Sequence, residues 1–174
     1  MIDLKKMMHY MDSEDIYELL EEGLDDDSYN MGEIIGSLPF MDEDEIGRLA
    51  LRLATEKEEN NFIAFYPFMD EDDVGELTKV LSRRGVSVVN ALPFMDEDDV
   101  DEILLEQVRD GNEVEPFLPF ASDEGLHRLL MAYIQGELDV NMDKVYPFMD
   151  DEDIRTLFRY EIRKRRKEKE KTEE

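Results

Sequence analysis

The chain has 174 residues, enough for one compact domain or one short repeat array. Its net charge of −27 at pH 7 disfavours contact of the acidic body with nucleic-acid phosphates or anionic lipid headgroups and favours basic partners or cations. Hydrophobic residues make up 41% and recur periodically, so a core can form, and the lack of cysteine excludes disulfides, thiolate zinc sites and cysteine nucleophiles.

The N-terminal segment, MIDLKKMMHYMDSEDI, has neither the long apolar stretch nor the small-residue cleavage site of a signal peptide. No apolar run in the sequence approaches the length of about 18 residues that a membrane-spanning helix needs. We therefore expect a cytoplasmic protein with no membrane span.

An eight-residue motif, which we call the joint motif, occurs six times. Its copies begin at residues 9, 39, 67, 93, 119 and 147, which gives a period of 26 to 30 residues. The third and fourth copies are identical, PFMDEDDV, and the first, second, fifth and sixth read HYMDSEDI, PFMDEDEI, PFASDEGL and PFMDDEDI. Six copies at nearly constant spacing predict one structural unit with loops of variable length.

A helix, called helix A, is predicted after each joint motif. We count offsets from the fourth residue of the motif, taken as zero. Hydrophobic residues recur at offsets four, seven and eight, as in Ile46, Leu49 and Ala50, and form one stripe of an amphipathic helix. Helix A is expected to stop, with the backbone in the left-handed region, near four glycines: Gly23, Gly85, Gly111 and Gly136.

A shorter helix, called helix B, is predicted before each joint motif. Apolar residues stand five residues and one residue before the motif's proline, as in Ile34 and Leu38, which places them on one helix face. Before the fifth motif Pro116 interrupts this pattern, so helix B is expected to be distorted or very short there.

Helix pairs at this period predict an all-α fold, a right-handed α-solenoid of about six short helical hairpins in residues 1–158. A charged C-terminal helical extension or tail follows in residues 159–174. A closed helical bundle is the alternative architecture. The array resembles short α-hairpin repeat proteins in general, as in uncharacterised bacterial repeat proteins, and this resemblance implies no activity.

The joint motif itself fits a helix start. In the third copy Asp70 is the expected N-cap, and Asp73 is placed to reach back as in a capping box. Met69 is placed to contact Val74 as a hydrophobic staple. Phe68 is expected to fill the groove between neighbouring hairpins, so the motif's methionines and phenylalanines are predicted to be core residues.

Metal and catalytic sites are not predicted, and neither is a cofactor. A calcium loop that began at Asp42 would place Ile46 and Leu53 at positions five and twelve, where oxygen ligands are required. His9 replaces the motif's proline and His127 is expected on an exposed helix face, and neither has metal-site spacing. Because no catalytic triad or phosphate-binding glycine loop is present either, we expect a non-enzymatic protein.

The joint motif carries more acids than one cap needs. If the starts of successive helices A align, these acids form a ridge that a basic peptide or a protein with a basic surface would bind. We call this set the acidic ridge: Asp42, Glu43, Asp44, Asp70, Glu71, Asp72, Asp96, Glu97, Asp98, Asp150 and Asp151. The expected function is a protein-interaction module or scaffold. The alternatives are a nucleic-acid mimic that occupies a basic protein and a low-affinity divalent-cation binder.

The C-terminal segment differs in charge from the rest of the chain. Residues 155–174 hold nine bases and five acids, whereas residues 1–154 hold 11 bases and 42 acids. Three roles stay open for the basic run: a nucleic-acid or membrane contact, charge balance against the acidic body within the chain or in a dimer, or a solvated helix end.

Overall fold

A computed structural model describes residues 3–172, except for the side chain of residue 172. The predicted all-α class is confirmed: these residues form α-helices and short 3-10 helices, and no strand occurs among them. None of the helices in this range combines the length and the apolar character needed to cross a membrane. The α-helices are α1 (Leu4–Met8), α2 (Ser13–Asp25), α3 (Met31–Ser37), α4 (Glu43–Glu56), α5 (Glu71–Arg83), α6 (Glu97–Arg109), α7 (Asp123–Ile134), α8 (Met142–Val145) and α9 (Asp151–Thr172).

Each of the last five joint motifs begins in a 3-10 helix that ends at its aromatic residue. Proline suits this turn because its ring fixes φ and its missing N–H leaves no donor unsatisfied at a helix start. The next residue is extended, as at Met41 (φ −111°, ψ 152°), and the chain then enters helix A. The 3-10 helices are Leu38–Phe40, Tyr66–Phe68, Val89–Phe94, Leu118–Phe120 and Tyr146–Phe148.

Helix A forms after every joint motif, as α2, α4, α5, α6, α7 and α9. In α4 the predicted stripe is fully buried, with Ile46, Leu49 and Ala50 at most 1% exposed. In α4 the apolar stripe therefore faces the core, as the spacing predicts, whereas Leu19 of α2 and Phe158 of α9 are 57% and 66% exposed.

The helix ends are predicted correctly at three of four glycines. Gly85, Gly111 and Gly136 have φ of 75°, 73° and 76°, the left-handed conformation of a helix C-terminus. The prediction is wrong at Gly23, which lies inside α2; Asp27 adopts φ 58° beyond the end of that helix instead.

Helix B is α-helical only in part. It forms α1, α3 and α8, but before the third, fourth and fifth joint motifs the described chain has turns or 3-10 helix. The expected distortion at Pro116 is confirmed. The segments at the third to fifth motifs form no α-helix, and length alone is not the reason, because α1 and α8 span only five and four residues. Their apolar residues Phe62, Val88 and Val114 are nevertheless buried.

The chain divides into two compact units, Met1–Asp96 and Glu97–Glu174. In the first unit α2 contacts α4 and α4 contacts α5; in the second α6 contacts α7 and α7 contacts α9. The predicted division between 1–158 and 159–174 falls inside the continuous helix α9, and assignment of residues 1–158 to one domain stays a prediction.

Candidate functional site: the acidic helix starts

All eleven residues of the acidic ridge are exposed. They occupy offsets zero to two of their helices, so they lie at the N-cap and in the first turn. Carboxylates there face the positive end of the helix dipole, which stabilises each helix start. Seven ridge residues, Asp42 to Asp96, belong to the first unit, and the other four belong to the second.

Side-chain capping by these acids is seen at α5 and α9, with one acid at each helix start. The Asp70 carboxylate accepts a 2.9 Å hydrogen bond from the N–H of Asp72, as predicted. Asp150 accepts a 2.8 Å bond from the N–H of Asp153. Asp42 occupies the N-cap of α4 but makes no side-chain cap bond; its own N–H donates to the Ser13 hydroxyl at 2.7 Å.

The acid at offset three is turned away from the ridge. Glu45, Asp73 and Asp99 are half-buried and Asp153 is only 4% exposed. The Asp73 carboxylate lies against Gly47 of the preceding helix: a Cβ on Gly47 would stand 1.9 Å from Asp73 Oδ2. Asp73 therefore contacts the neighbouring helix, a role that the capping-box prediction did not contain.

The electrostatics of Asp73 show that acids of successive helix starts affect one another within the first unit. Burial raises the pKa of the Asp73 carboxyl, and the nearby charges of Asp70, Glu76, Asp44 and Asp72 raise it further. Asp44 belongs to the preceding helix α4. The helix starts α4 and α5 are thus close enough for their charges to add.

The second unit has the same contact between helices A, which we call the seam: offset five of one helix meets offset three of the next. Here the two residue types are exchanged. Asp101, at offset five of α6, is 2% exposed and accepts hydrogen bonds from the N–H (2.9 Å) and the hydroxyl (2.5 Å) of Ser122. Gly125, at offset three of α7, lies against it: a Cβ there would stand 2.1 Å from Asp101 Cγ. Ser122 in turn caps α7 by accepting the N–H of Gly125 at 3.0 Å.

His127 has a partner that the sequence did not reveal. Its side chain is 54% exposed, in line with the predicted helix phase, yet Nδ1 lies 2.7 Å from Oδ1 of the buried Asp153. This hydrogen bond raises the pKa of His127, and the charges of Asp153, Asp150 and Glu152 add to the effect. His127 stands at offset five and Asp153 at offset three, the same two positions as the other seam pairs.

The phenylalanines of the joint motif are not core residues, and that prediction is wrong. Four of them, Phe68, Phe94, Phe120 and Phe148, are 37–42% exposed, and Phe40 is half-buried. The 3-10 turn leaves the phenylalanine at the surface, whereas the residue before proline is buried in four of the five turns, the exception being Tyr146, which is 44% exposed. Each aromatic ring therefore lies two residues before the exposed acids.

The predicted groove role of these rings is partly confirmed within the first unit. The Phe94 ring stacks on Tyr66, the residue just before the preceding joint motif, with centroids 6.0 Å apart. The Phe40 ring meets His9 edge-on at 4.6 Å. One side of each ring thus contacts the neighbouring joint motif, and the rest is open to solvent.

Within residues 3–172, no group of three or more His, Asp or Glu side chains is arranged to hold a metal ion. The sequence matches no protein-family model, and neither a curated protein nor a solved structure is significantly similar to it. The function has to be inferred from the surface of the protein itself.

Proposed function

We propose that the chain is a non-enzymatic, acidic helical-repeat protein that binds a protein partner through the acidic ridge. The partner carries a basic surface or a basic peptide. One observation carries this proposal: in α4, α5 and α9 the acids of the ridge are exposed, whereas the acid at offset three, Glu45, Asp73 or Asp153, contacts the preceding helix. Asp70 and Asp150 act as caps, and capping does not use the exposed Glu43, Asp44, Glu71, Asp72 and Asp151.

The architecture that we propose for this surface is a right-handed α-solenoid of six short hairpins. The six sequence copies support it, as do the contacts between consecutive helices A inside each unit. A solenoid would present the helix starts as a series, and a chain-like ligand such as a basic peptide suits a surface of this kind.

The exposed phenylalanines support arginine or lysine as the ligand groups. A cation over an aromatic ring is attracted to it, and nearby carboxylates add charge-assisted hydrogen bonds. The chain itself contains this combination: the Arg48 guanidinium lies 4.4 Å from the centre of the Tyr17 ring and pairs with Glu14 at 3.2 Å. Each joint motif presents the same two ligand types, ring and carboxylate.

The test is affinity capture from a cell lysate with two variants of equal charge. The ridge variant converts six acids to their amides: Asp42, Glu43, Asp44, Asp70, Glu71 and Asp72. Amides preserve side-chain shape, and Asn caps a helix as well as Asp does. The charge-matched control converts six exposed acids elsewhere: Glu18, Glu22, Asp26, Glu33, Glu58 and Glu76.

We expect the ridge variant to lose partners that the wild type and the charge-matched control retain. Equal retention by both variants would exclude the ridge as the binding surface. If the captured proteins bind DNA, and added DNA releases them, the ridge acts as a nucleic-acid mimic.

A further inference from the structure

Helix α9 has an apolar face that nothing within the chain's described part covers. Ile154 and Phe158 are 39% and 66% exposed. The residues at the same offsets in α7, Leu126 and Leu130, are at most 2% exposed. Helix α9 thus retains the apolar stripe of helix A, but part of it faces solvent beside a groove that Tyr133, Met142 and Tyr146 help to line.

The sequence of α9 is complementary to itself about Phe158. Residues three to eight positions before and after Phe158 form pairs of opposite charge or of matching apolar character, whereas the pairs one and two positions away do not. These pairs are Arg155 with Glu161, Ile154 with Ile162, Asp153 with Arg163, Glu152 with Lys164, Asp151 with Arg165, and Asp150 with Arg166.

Three of these pairs lie on the uncovered face. At about 100° per residue, residues three, four and seven positions from Phe158 fall within about 60° of it around the helix axis. They are therefore the pairs that begin at Asp151, Ile154 and Arg155. Asp151, Arg155 and Arg165 are exposed, and Glu161 and Ile162 are half-buried.

We propose that this face binds a second copy of the chain, with the two α9 helices antiparallel and the two-fold axis at Phe158. An antiparallel arrangement brings each residue before Phe158 opposite its counterpart after Phe158. Ile154 then meets Ile162 of the other copy, and Asp151 meets Arg165. The same surface serves both copies, as two-fold symmetry requires.

Charge complementarity selects a second copy over another occupant. The helix dipole accounts for acids in the first turn and bases in the last turn, but its effect is confined to those turns. It does not account for Arg155 in the second turn. Glu161, in the middle of the helix, accepts a 2.8 Å hydrogen bond from the Tyr133 hydroxyl, and in the antiparallel pair its negative charge also meets Arg155 of the other copy.

Sedimentation velocity over a range of protein concentrations tests self-association. We expect a monomer–dimer equilibrium, and Phe158→Glu should weaken it more than about tenfold, as loss of a central aromatic anchor commonly does. Tyr10→Glu is the matched control, because Tyr10 is 92% exposed and lies in the other unit. A monomer at all concentrations, or a dimer that Phe158→Glu leaves unchanged, would overturn the proposal.

Charge reversal tests the antiparallel register. Asp151→Arg or Arg165→Asp alone places like charges opposite each other twice in the dimer, so each should weaken association. The double variant Asp151→Arg/Arg165→Asp should restore it. If these residues only stabilise α9, the double variant will be the least helical by circular dichroism and association will not recover, which would contradict the register.

Cysteine cross-linking gives an independent readout, because the chain contains no cysteine. We expect a mixture of Ile154→Cys and Ile162→Cys proteins to form a disulfide-linked heterodimer on mild oxidation. Either protein alone should cross-link poorly, because its two copies of the cysteine would be eight residues or about 12 Å apart along the axis, beyond the Cα separation of about 7 Å that a disulfide spans. Equal cross-linking in all three samples would refute the arrangement.

Discussion

At the scale of single residues, one pair of positions joins successive helices A inside each unit. Offset five of one helix faces offset three of the next, as Gly47 with Asp73 in the first unit and Asp101 with Gly125 in the second. Where one member is glycine, the other carries a carboxyl group. The glycines are therefore needed for the space that they leave, since any Cβ would collide with the opposing side chain.

Gly47→Ala tests this close approach. We expect it to lower the free energy of unfolding by about 1–3 kcal/mol, the usual effect of overpacking a buried contact. Asp73→Gly removes the colliding group, so the double variant should show a favourable coupling of about 1 kcal/mol or more in a double-mutant cycle by urea denaturation. Additive effects would mean that the two residues do not meet.

The third seam pair, His127 with Asp153, predicts a pH dependence. The hydrogen bond to Asp153 raises the pKa of His127 above its ordinary value of 6.5, so the folded state favours the protonated ring. The stabilisation is fully present below pH 6.5 and is lost as the pH rises through the raised pKa. Its size should be about 0.2–1 kcal/mol because the ring is largely exposed.

Denaturation of the wild type and of His127→Gln at several pH values measures this effect. The difference in free energy of unfolding should be largest near pH 6 and should shrink toward pH 9. His9→Gln removes the other histidine and serves as the control. A difference between wild type and His127→Gln that does not change with pH would contradict the role of the Asp153 bond.

At the scale of the helix, both ends follow local rules, with two exceptions at the C-terminal ends. The residues with positive φ beyond α5, α6 and α7 are glycines. Beyond α2 and α4 they are Asp27 and Glu58, with φ of 58° and 54°. A Cβ in this left-handed region is strained by about 1–2 kcal/mol. The cost falls on Glu58, because aspartate tolerates this region better and Asp27 also pairs with Lys57.

Glu58→Gly should therefore stabilise the protein. We expect the free energy of unfolding to rise by about 0.5–1 kcal/mol, because relief of the strain exceeds the larger chain entropy of glycine in the unfolded state. Glu58→Gln removes the same charge and keeps the strain, so it should show no comparable gain. Thermal melts of the two variants make the comparison, and equal stabilisation by both would point to charge relief instead.

The sequence predicts helix A well because its signals are local. The capping residue, the apolar spacing and the terminal glycine all lie within one stretch of about 15 residues, so α5 could be placed from Asp70 to Gly85. Helix B has less sequence to encode it, and its apolar residues suit a turn as well as a helix. In the segment before the third joint motif, burial of Phe62 then fixes how the chain packs, and this does not require an α-helix.

The candidate site was predicted only in part for the same reason. Exposure of the acids follows from their place before the apolar stripe, whereas the surface position of Phe68 depends on the 3-10 turn, which the motif alone does not specify. An alignment of the copies contains a signal for the seam pairs, because the residue types at offset five of one copy and offset three of the next vary together. They are glycine with aspartate, aspartate with glycine, and histidine with aspartate. Single-helix periodicity does not detect pairs of this kind.

At the scale of the whole molecule, the bases that join neighbouring hairpins lie mostly late in helix A; Arg48, which pairs with Glu14 and Glu45 in the first turns of α2 and α4, is an exception. In the first unit Arg52 pairs with Glu21, Asp25 and Glu56 at 2.6–3.0 Å. Arg84 donates to the carbonyl oxygens of Ala54 and Glu59, which lie at and beyond the C-terminal end of α4. These bases join neighbouring hairpins late in helix A, away from the acids that begin it.

Calorimetric titration of an arginine-rich peptide into the wild type, the ridge variant and the charge-matched control tests the proposed function most directly. The two variants have the same net charge, so a difference between them reports the position of the acids. Each exposed ion pair contributes about 0.2–1 kcal/mol, so loss of six acids should weaken binding at least about tenfold. The control should stay within about threefold of the wild type. Equal weakening of both variants would show that the peptide responds only to net charge, and the acidic ridge would then not be a binding site.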